Sequence, residues 1–433
     1  MENPKLKKKN VVVEEIIEHP FLINLAKDKS PLPKAAIAQA MEVIATTPAP
    51  TTRTEAWKYT RVAKLTRKEY TQATTTIQSI EKYSIDSEAL NIVFVNGLYQ
   101  KQLSSSETLN GVTIKSIQDC TSEELEKAGN NVVIENELFN AINTVYAQDG
   151  IYIEVAAGTV VDKTIQIIHV STGEQSISHQ RNIFVANASS NVNIIQAFFS
   201  ENAAESFANH ITEVYVGANA HLKIDKIQAE GDSSNQVITE QVEQANDSTF
   251  TINTLTFNGA LVRNNLNIAV NGKNCETNLN GAYLLKGNQH VDNHTVVDHK
   301  IAHCNSNELY KGVIDDKATA VFNGKVFVRK DAQIINAFQS NGNVLLSDDA
   351  TVNSKPELEI YADDVKCSHG STTGQLDEEA VFYLRARGLS EKAARQLMVG
   401  AFVGEVFDKV ENEAVSAFIN KILTERFGWI IED

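Results

Sequence analysis

The segment NASSNVNI (residues 187–194) decides the fold of this chain. A small polar turn precedes a strand in which apolar and polar residues alternate, and the arrangement recurs in GANAHLKI (217–224) and NDSTFTI (246–252). Alternation with a period of two is typical of β-strands. A turn-and-strand unit that recurs about every 30 residues predicts a solenoid, in which each coil buries its inner face against its neighbours.

Similar alternating segments continue on both sides of these units, from about Gly150 onward. DDKATAVF (315–322) and DDATVNS (348–354) look like later members of the series. We therefore favour a parallel β-helix. A β-sandwich is the alternative, because the spacing of the turns is irregular between residues 272 and 315.

Proline placement supports a continuous stack of strands. Six of the seven prolines lie in the first 50 residues, and the seventh is Pro356. Each coil of a β-helix donates backbone N–H groups to its neighbour, and proline has none to donate. Most of the β-helix is therefore expected to lie within the proline-free region.

Residues 1–149 form a mixed region by the same criteria. Apolar residues at helical spacing predict helices in residues 10–26 and 31–47. IVFVNGL (92–98) predicts a strand and a turn, and residues 136–147 predict another helix. The β-helix core is then assigned to residues 150–374.

Helical periodicity returns in residues 375–433. Asp377 and Ser390 are placed to cap two helices, and Gly388 to end the first of them. A third helix is expected to end before Gly428. Such helices can cap a solenoid or dock a partner, and the pattern leaves both open.

Composition narrows the function classes. The 433-residue chain carries 39 Lys and Arg against 55 Asp and Glu, a net charge of −16, which argues against nucleic acid or an anionic membrane as a partner. No run approaches the ~20 apolar residues that span a bilayer. The four cysteines lack a spacing pattern, which is typical of a reducing compartment, so we expect the protein in the cytoplasm.

Enzyme motifs are not found in the sequence. GTVVDKT (158–164) lacks the second glycine of a phosphate-binding loop, so we expect no ATP hydrolysis by this chain. Carbohydrate-active β-helix enzymes use clustered carboxylates, but the adjacent Asp363 and Asp364 would point to opposite faces of a strand.

Two segments hold residue types that bind soft metals. In residues 290–304, His290, Asp292 and His294 would share one face of a strand, either as a metal-binding row or as a solvated polar face. In the second segment, Cys367 and His369 would also share one face, either in a structural role or as ligands.

The C-terminal half resembles a known family. LYKGV (309–313), AVFNGKVFV (320–328), the long segment 343–374 and VFYLRARG (381–388) are similar to the core signature of the SufB/SufD family of the Suf iron-sulfur cluster assembly machine. The sequence CSHGSTTG (367–374) is similar to the SufD type of turn, although Ser371 stands where alanine is usual. EAWKYT (55–60) also resembles the SufD type.

This resemblance implies a right-handed parallel β-helix between an N-terminal mixed region and C-terminal helices. It implies a non-ATPase scaffold that pairs with SufB, is bound by the ATPase SufC, and holds iron or a nascent cluster at the SufB interface. Cys367 and His369 would be the ligands there. His299 and Cys304 fall near family-like positions, and their role stays open. The residues expected to dock SufC are Phe382, Arg385, Arg387, Leu397 and Phe402.

The isolated chain is expected to hold no cofactor and to be able to form a homodimer. A structural β-helix homodimer without metal chemistry and a carbohydrate-active enzyme are the alternative functions. Flavin binding by the complex and the source of sulfur stay open.

Overall fold

The period-two segments form a parallel β-helix of about eight coils. This computed structural model describes residues 17–26, 29–128 and 131–429. The strands are β1 (Leu90–Val95), β2 (Leu98–Tyr99), β3 (Val112–Ser116), β4 (Ile151–Val155), β5 (Ile165–Glu174), β6 (Ile177–Ala186), β7 (Asn191–Ala204), β8 (Phe207–Val216), β9 (His221–Ala229), β10 (Asn235–Gln244), β11 (Thr249–Asn258), β12 (Leu261–Val270), β13 (Glu276–Leu285), β14 (His290–His299), β15 (Asn305–Ile314), β16 (Thr319–Val328), β17 (Ile335–Leu345), β18 (Thr351–Ser354), β19 (Glu357–Ile360) and β20 (Val365–Gln375).

Successive strands alternate between two sheets. The first sheet has the order β2-β1-β5-β7-β9-β11-β13-β15-β17-β20. The second has the order β18-β16-β14-β12-β10-β8-β6-β4-β3, and β19 also pairs with β16. Apart from the antiparallel pairs β1–β2 and β3–β4, the described strand pairs are parallel, so the fold is a parallel β-helix and the β-sandwich alternative is wrong.

Each strand sends alternate residues into the interior. One half of the interior is an apolar core, which contains Ile194, Ile252 and Val326. The other half is polar and includes the side chains of Gln196, Lys226 and others. The strand pattern predicts which residues share a face, but it does not tell which of the two faces is the inner one.

Two corners join the sheets, and the corner that leads from the second sheet to the first repeats one backbone conformation. The residue with a left-handed conformation is, in successive coils, Ser189, Asn219, Asp247, Asn274, His303 and Ile334. The turns at 187, 217 and 246 all lie at this corner. The turns at 315 and 348 lie at the opposite corner, so they are not members of the same series.

The seventh proline fits the same account. Pro356 lies between β18 and β19, on the last coil of the second sheet. The described residues show no further strand that would need its N–H.

The N-terminal region covers the outer face of the second sheet. Its helices are α1 (Lys34–Thr46), α2 (Ala63–Thr66), α3 (Ser122–Ala128) and α4 (Leu138–Tyr146). Phe139 and Ile142 of α4 pack against Ile177 and Phe207 of the sheet. The predicted helices at 31–47 and 136–147 are thus confirmed, as is the strand at 92–98.

The helix predicted for residues 10–26 is wrong where it can be compared. Residues 10–16 lie outside the described residues, and residues 17–26 contain only a one-turn 3₁₀ helix, Pro20–Leu22. Pro20 removes a backbone donor, which explains why helical periodicity does not extend through this segment.

The C-terminal helices cover the outer face of the first sheet. They are α5 (Glu378–Ala386), α6 (Glu391–Phe407) and α7 (Glu413–Phe427). Asp377 and Ser390 cap α5 and α6 as predicted, and Gly428 ends α7 in a left-handed conformation. Val399 and Val403 of α6 belong to the apolar cluster that contains Leu255 of the sheet.

The boundaries 1–149, 150–374 and 375–433 stay a prediction. Strands β1 to β3 precede residue 150, and they extend both sheets of the β-helix. No described helix is long and apolar enough to cross a membrane.

Candidate metal-ligand site at the open end of the β-helix

Strand β20 places Cys367 and His369 on the last coil. It pairs along one edge with β17, where Ala337 is the register partner of Cys367 and Gln339 that of His369. Ala337 and Gln339 are buried, so their faces point into the β-helix, and Cys367 and His369 share that face. The other edge of β20 is the end of the first sheet. The expectation that both residues lie on one face at the end of the solenoid is met.

The two side chains differ in environment. Cys367 is partly buried against the apolar core, and His369 is exposed. Burial raises the pKa of the Cys367 thiol, while a backbone hydrogen bond from Ala337 opposes this shift. Metal binding requires the thiolate, so a metal ion that binds here would displace the thiol proton, and the raised pKa makes this less favourable.

Cys367 and His369 are an incomplete ligand set. Their Cα atoms are about 6–7 Å apart along an extended strand. Among residues 17–26, 29–128 and 131–429, no group of three or more His, Cys, Asp and Glu side chains is placed to hold a metal. The pair therefore offers two soft donors, and iron-sulfur clusters need more than two.

The apolar surface around this end of the β-helix is exposed. Ile334 and Phe338 lie on the last coil but one, and Ile360 and Tyr361 lead into β20; their side chains are 46%, 45%, 39% and 59% exposed. Phe338 lies on the outer face of the first sheet, whereas Tyr361 packs on Phe327 of the second, so these residues flank the open end on different sides. Sequence alternation alone did not reveal their exposure, since apolar residues in strands are usually interior.

Ile334 is in addition strained. Its φ of 58° is left-handed, a conformation that a β-branched residue rarely adopts. The equivalent residues in earlier coils include Asn219, Asp247 and Asn274, which tolerate it. Strain kept at an exposed apolar position is typical of functional surfaces.

Ile334→Asn is therefore expected to raise the free energy of unfolding by about 1 kcal/mol, because asparagine adopts the left-handed conformation at lower cost. Urea denaturation of the isolated chain measures this. The matched control is Asn274→Ile at the same corner of an earlier coil, which should lower stability by a similar amount. A loss of stability in Ile334→Asn would contradict the strain argument.

His299 and Cys304 lie apart from this pair. His299 is buried, and its Nε2 lies 2.9 Å from Ser306 Oγ. Cys304 is buried at a corner next to Cys275 of the preceding coil, and its Sγ donates to the carbonyl of Gly272. The structure does not bring His299 or Cys304 together with Cys367, and their role as ligands stays a prediction.

The row of His290, Asp292 and His294 shares one face, as predicted, but has other partners. His294 Nε2 lies 3.1 Å from Asp292, and Arg263 Nη1 lies 2.6 Å from Asp292 Oδ2. Burial by itself would raise the pKa of Asp292, but Arg263 and His294 hold it well below its usual range. The described residues form no metal group here, so the hypothesis of a metal row is not supported.

This row instead anchors the segment EAWKYT (55–60). Thr60 Oγ1 donates to Asp292 at 2.5 Å and lies 2.9 Å from His290 Nε2. The Arg263 guanidinium lies over the Trp57 ring and donates to the carbonyl of Ala56. The EAWKYT segment, which resembles the SufD type, thus fixes the N-terminal region to the second sheet.

The residues predicted to dock a partner do not all face solvent. Phe382 and Leu397 are 71% and 53% exposed, and Arg385 and Arg387 are also exposed. Phe402 instead faces the first sheet, with Lys311 Nζ over its ring and Gly342 beside it. Phe402 therefore holds α6 on the β-helix.

A groove lies beside the exposed Leu397. It runs between α6 and α7 and has a volume of about 540 Å³. Ala393, Gly400 and Gly404 of α6 line it, as does Trp429. Small residues on α6 keep this groove open.

Two family models together match most of the chain. Residues 169–402 match the family described as "SUF system FeS cluster assembly, SufBD core domain", and residues 23–167 match "SufBD protein N-terminal region". The chain is 31% identical to the iron-sulfur cluster assembly protein SufD of Escherichia coli K12, over 87% of this chain and 89% of that protein.

Two further relatives cover similar lengths. An iron-sulfur cluster assembly SufBD family protein of Synechocystis is 30% identical over 83% of this chain and 84% of its own length. A chloroplastic Arabidopsis thaliana protein, ABCI7, is 28% identical over 92% and 88%. This chain therefore belongs to the SufBD family and has a role in iron-sulfur cluster assembly.

Proposed function

We propose that this chain is a non-ATPase scaffold subunit of a Suf assembly complex, in which Cys367 and His369 contribute ligands to iron or a nascent cluster at an interface with a SufB-like subunit. The observation that carries the proposal is the incomplete pair of soft donors on the terminal strand β20. The iron and sulfide are cargo, and the remaining ligands come from the partner.

Strand β20 suits such an interface. Its free edge carries backbone N–H and C=O groups that a strand of another chain can pair with. Exposed apolar residues of the last two coils, such as Ile334 and Ile360, can add apolar area to such a contact. In the absence of a SufB-like partner, the free edge of β20 can pair with the same edge of a second copy of this chain. The proposal therefore includes a homodimer of the isolated chain.

The C-terminal helices are the proposed site for a SufC-like ATPase. Phe382 and Leu397 offer apolar anchors, Arg385 and Arg387 offer charge, and the groove between α6 and α7 lies beside them. ATP hydrolysis takes place in that partner. Helix α6 packs on the first sheet, and β20 is the last strand of that sheet. A movement of the helices can therefore shift Cys367 and His369. Such coupling requires contacts that differ between two states.

The test is to co-purify the chain with SufB-like and SufC-like partners and reconstitute the complex anaerobically with iron and sulfide. We expect His369→Ala to lower the cluster yield by about 10-fold or more, since loss of even an outer-shell partner of a metal costs 10- to 100-fold in affinity. Absorbance of the cluster and bound iron give the yield.

His221→Ala is the matched control, because His221 is exposed at the start of β9, far from the open end. Its yield should equal that of the wild type. If no complex forms, or if His369→Ala has the wild-type yield, the ligand assignment is wrong and the structural homodimer becomes the better account.

A further inference from the structure

Three residues on successive first-sheet strands form a column that ends at His369. Glu308 of β15 is the register partner of Gln339 of β17, and Gln339 is the register partner of His369 of β20. Glu308 and Gln339 are each 4% exposed, and both point into the β-helix. The column therefore connects the polar interior to the candidate ligand.

The hydrogen bonds of this column have a fixed direction. Gln339 Nε2 donates to Glu308 Oε2 at 2.9 Å, and Thr295 Oγ1 donates to Glu308 Oε1 at 2.5 Å. An ionised carboxylate only accepts, and an amide NH₂ only donates. At a pH above the raised Glu308 pKa of about 7, the amide of Gln339 therefore presents its NH₂ group to Glu308 and its carbonyl oxygen elsewhere.

That carbonyl oxygen has no partner. Gln339 Oε1 is buried and accepts no hydrogen bond. Buried acceptors are normally satisfied, and an unsatisfied one in a native protein points to a missing donor. The neighbouring side chain on the same face of the last coil is His369, which is exposed and does not donate to Gln339 in this structure. Rotation of its ring is the nearest source of a donor.

A glycine on the opposite sheet leaves space for the amide. A Cβ atom built on Gly324 of β16 would lie 3.1 Å from Gln339 Nε2 and 2.7 Å from the ring of Phe322. The Gln339 side chain is thus held by Glu308 on one side and has room only because residue 324 has no side chain. Its position does not depend on His369.

We propose that Gln339 is a positioning residue for His369. When the exposed His369 ring rotates toward Gln339, that carbonyl oxygen accepts the N–H of one ring nitrogen. The proton is then fixed there, and the lone pair of the other nitrogen is free for a metal. Metal-binding histidines generally make this kind of second hydrogen bond, which sets the tautomer and the ring orientation. The ligand role of His369 rests on the proposed function, whereas the proposed hydrogen bond involves only residues of this chain.

The direct test is the tautomer of His369 in the metal-free isolated chain. The protein is labelled with ¹⁵N in histidine, and the ring nitrogen shifts are measured at pH 8, where a free imidazole is neutral and Glu308, whose pKa burial raises to about 7, is ionised. Loss of signals in His369→Ala assigns the ring. We expect one dominant tautomer in the wild type and a mixture in Gln339→Met, which keeps the volume but removes the acceptor.

Gln333→Met is the matched control. The side chain of Gln333 also ties the last two coils together, by accepting from the backbone N–H of Asp364 at 2.9 Å, but it does not lie in the His369 column. Its His369 shifts should equal those of the wild type. If Gln339→Met does not fold, Gln339→Asn retains an amide but withdraws the carbonyl from His369, and the same mixture is expected.

Iron binding separates this inference from the proposed function. In the assembled complex, titrated anaerobically with Fe²⁺ alone, Gln339→Met is expected to weaken binding by about 10-fold or more. Wild-type tautomer signals in Gln339→Met would overturn the positioning role. A changed tautomer together with a wild-type cluster yield in His369→Ala would support the positioning role and overturn the ligand role.

Discussion

Lys226→Met is expected to lower the free energy of unfolding by about 3–5 kcal/mol, because it leaves a buried carboxylate without its counter-ion. Lys226 Nζ lies 2.7 Å from Glu240 Oε1 inside the β-helix, and the two side chains are 1% and 0% exposed. The other oxygen of Glu240 has no hydrogen-bond partner. Urea denaturation followed by circular dichroism measures the loss.

The double variant Lys226→Met with Glu240→Met is the informative companion. It removes both charges, and replacing a buried ion pair by apolar residues is often neutral or stabilising. We expect it to recover most of the loss. The solvent-accessible pair of Lys163 and Glu107 gives the control, since Lys163→Met should cost no more than about 1 kcal/mol. A double variant as unstable as Lys226→Met would contradict the account.

His169→Phe is expected to reduce the sensitivity of the protein to acid. Burial lowers the pKa of His169 to about 3, so the folded protein does not protonate it when the unfolded chain does. Its ring is stacked on Phe198, with 4.4 Å between centroids, which suits phenylalanine as a replacement. In the wild type, the unfolded chain therefore binds a proton at His169 below pH 6.5 that the folded protein does not bind. The free energy of unfolding falls as the pH falls through that value.

The expected size is about 1.4 kcal/mol for each pH unit below 6.5. Between pH 7.5 and pH 5.0 the wild type should thus lose about 2 kcal/mol more than His169→Phe. The comparison is made between the two proteins because other buried groups also titrate. His179 and His210 act in the same direction as His169, since burial lowers both pKa values.

Two buried carboxyls act in the opposite direction. Burial raises the pKa of Glu230 and Glu308 to about 7, so the folded state binds their protons first and gains stability as the pH falls from 7. These contributions are common to the wild type and the variant, and they cancel in the difference. Parallel pH profiles for the two proteins would show that His169 is not the group responsible.

The candidate site was only partly predictable. The spacing of Cys367 and His369 places them on one face of any extended strand, and the sequence sufficed for that. That β20 is the last strand of its sheet, that Gln339 lies beneath His369, and that Ile334 is exposed depend on which coils are neighbours. Neighbouring coils are about 30 residues apart in the chain, so local patterns do not connect them.

The interior shows the same limit. Lys226 and Glu240 occupy alternating polar positions that, in the sequence, look like a solvated strand face. His290, Asp292 and His294 look like a metal row, yet Arg263 and the EAWKYT segment are their partners. In both cases the partner comes from another strand or from the N-terminal region, and only packing of those elements decides whether a polar face meets water or protein.

The sequence by itself determined the class of fold, since period-two strands, polar turns and the absence of proline leave few alternatives to a stacked β-solenoid. It also determined the helix ends at Asp377, Ser390 and Gly428, because capping depends on residues within one turn of each other. The tertiary structure alone decided which strand faces are interior, which corner each turn occupies and where the solenoid ends. Those properties are set by contacts between coils, where burial and hydrogen-bond satisfaction are shared among residues far apart in the chain.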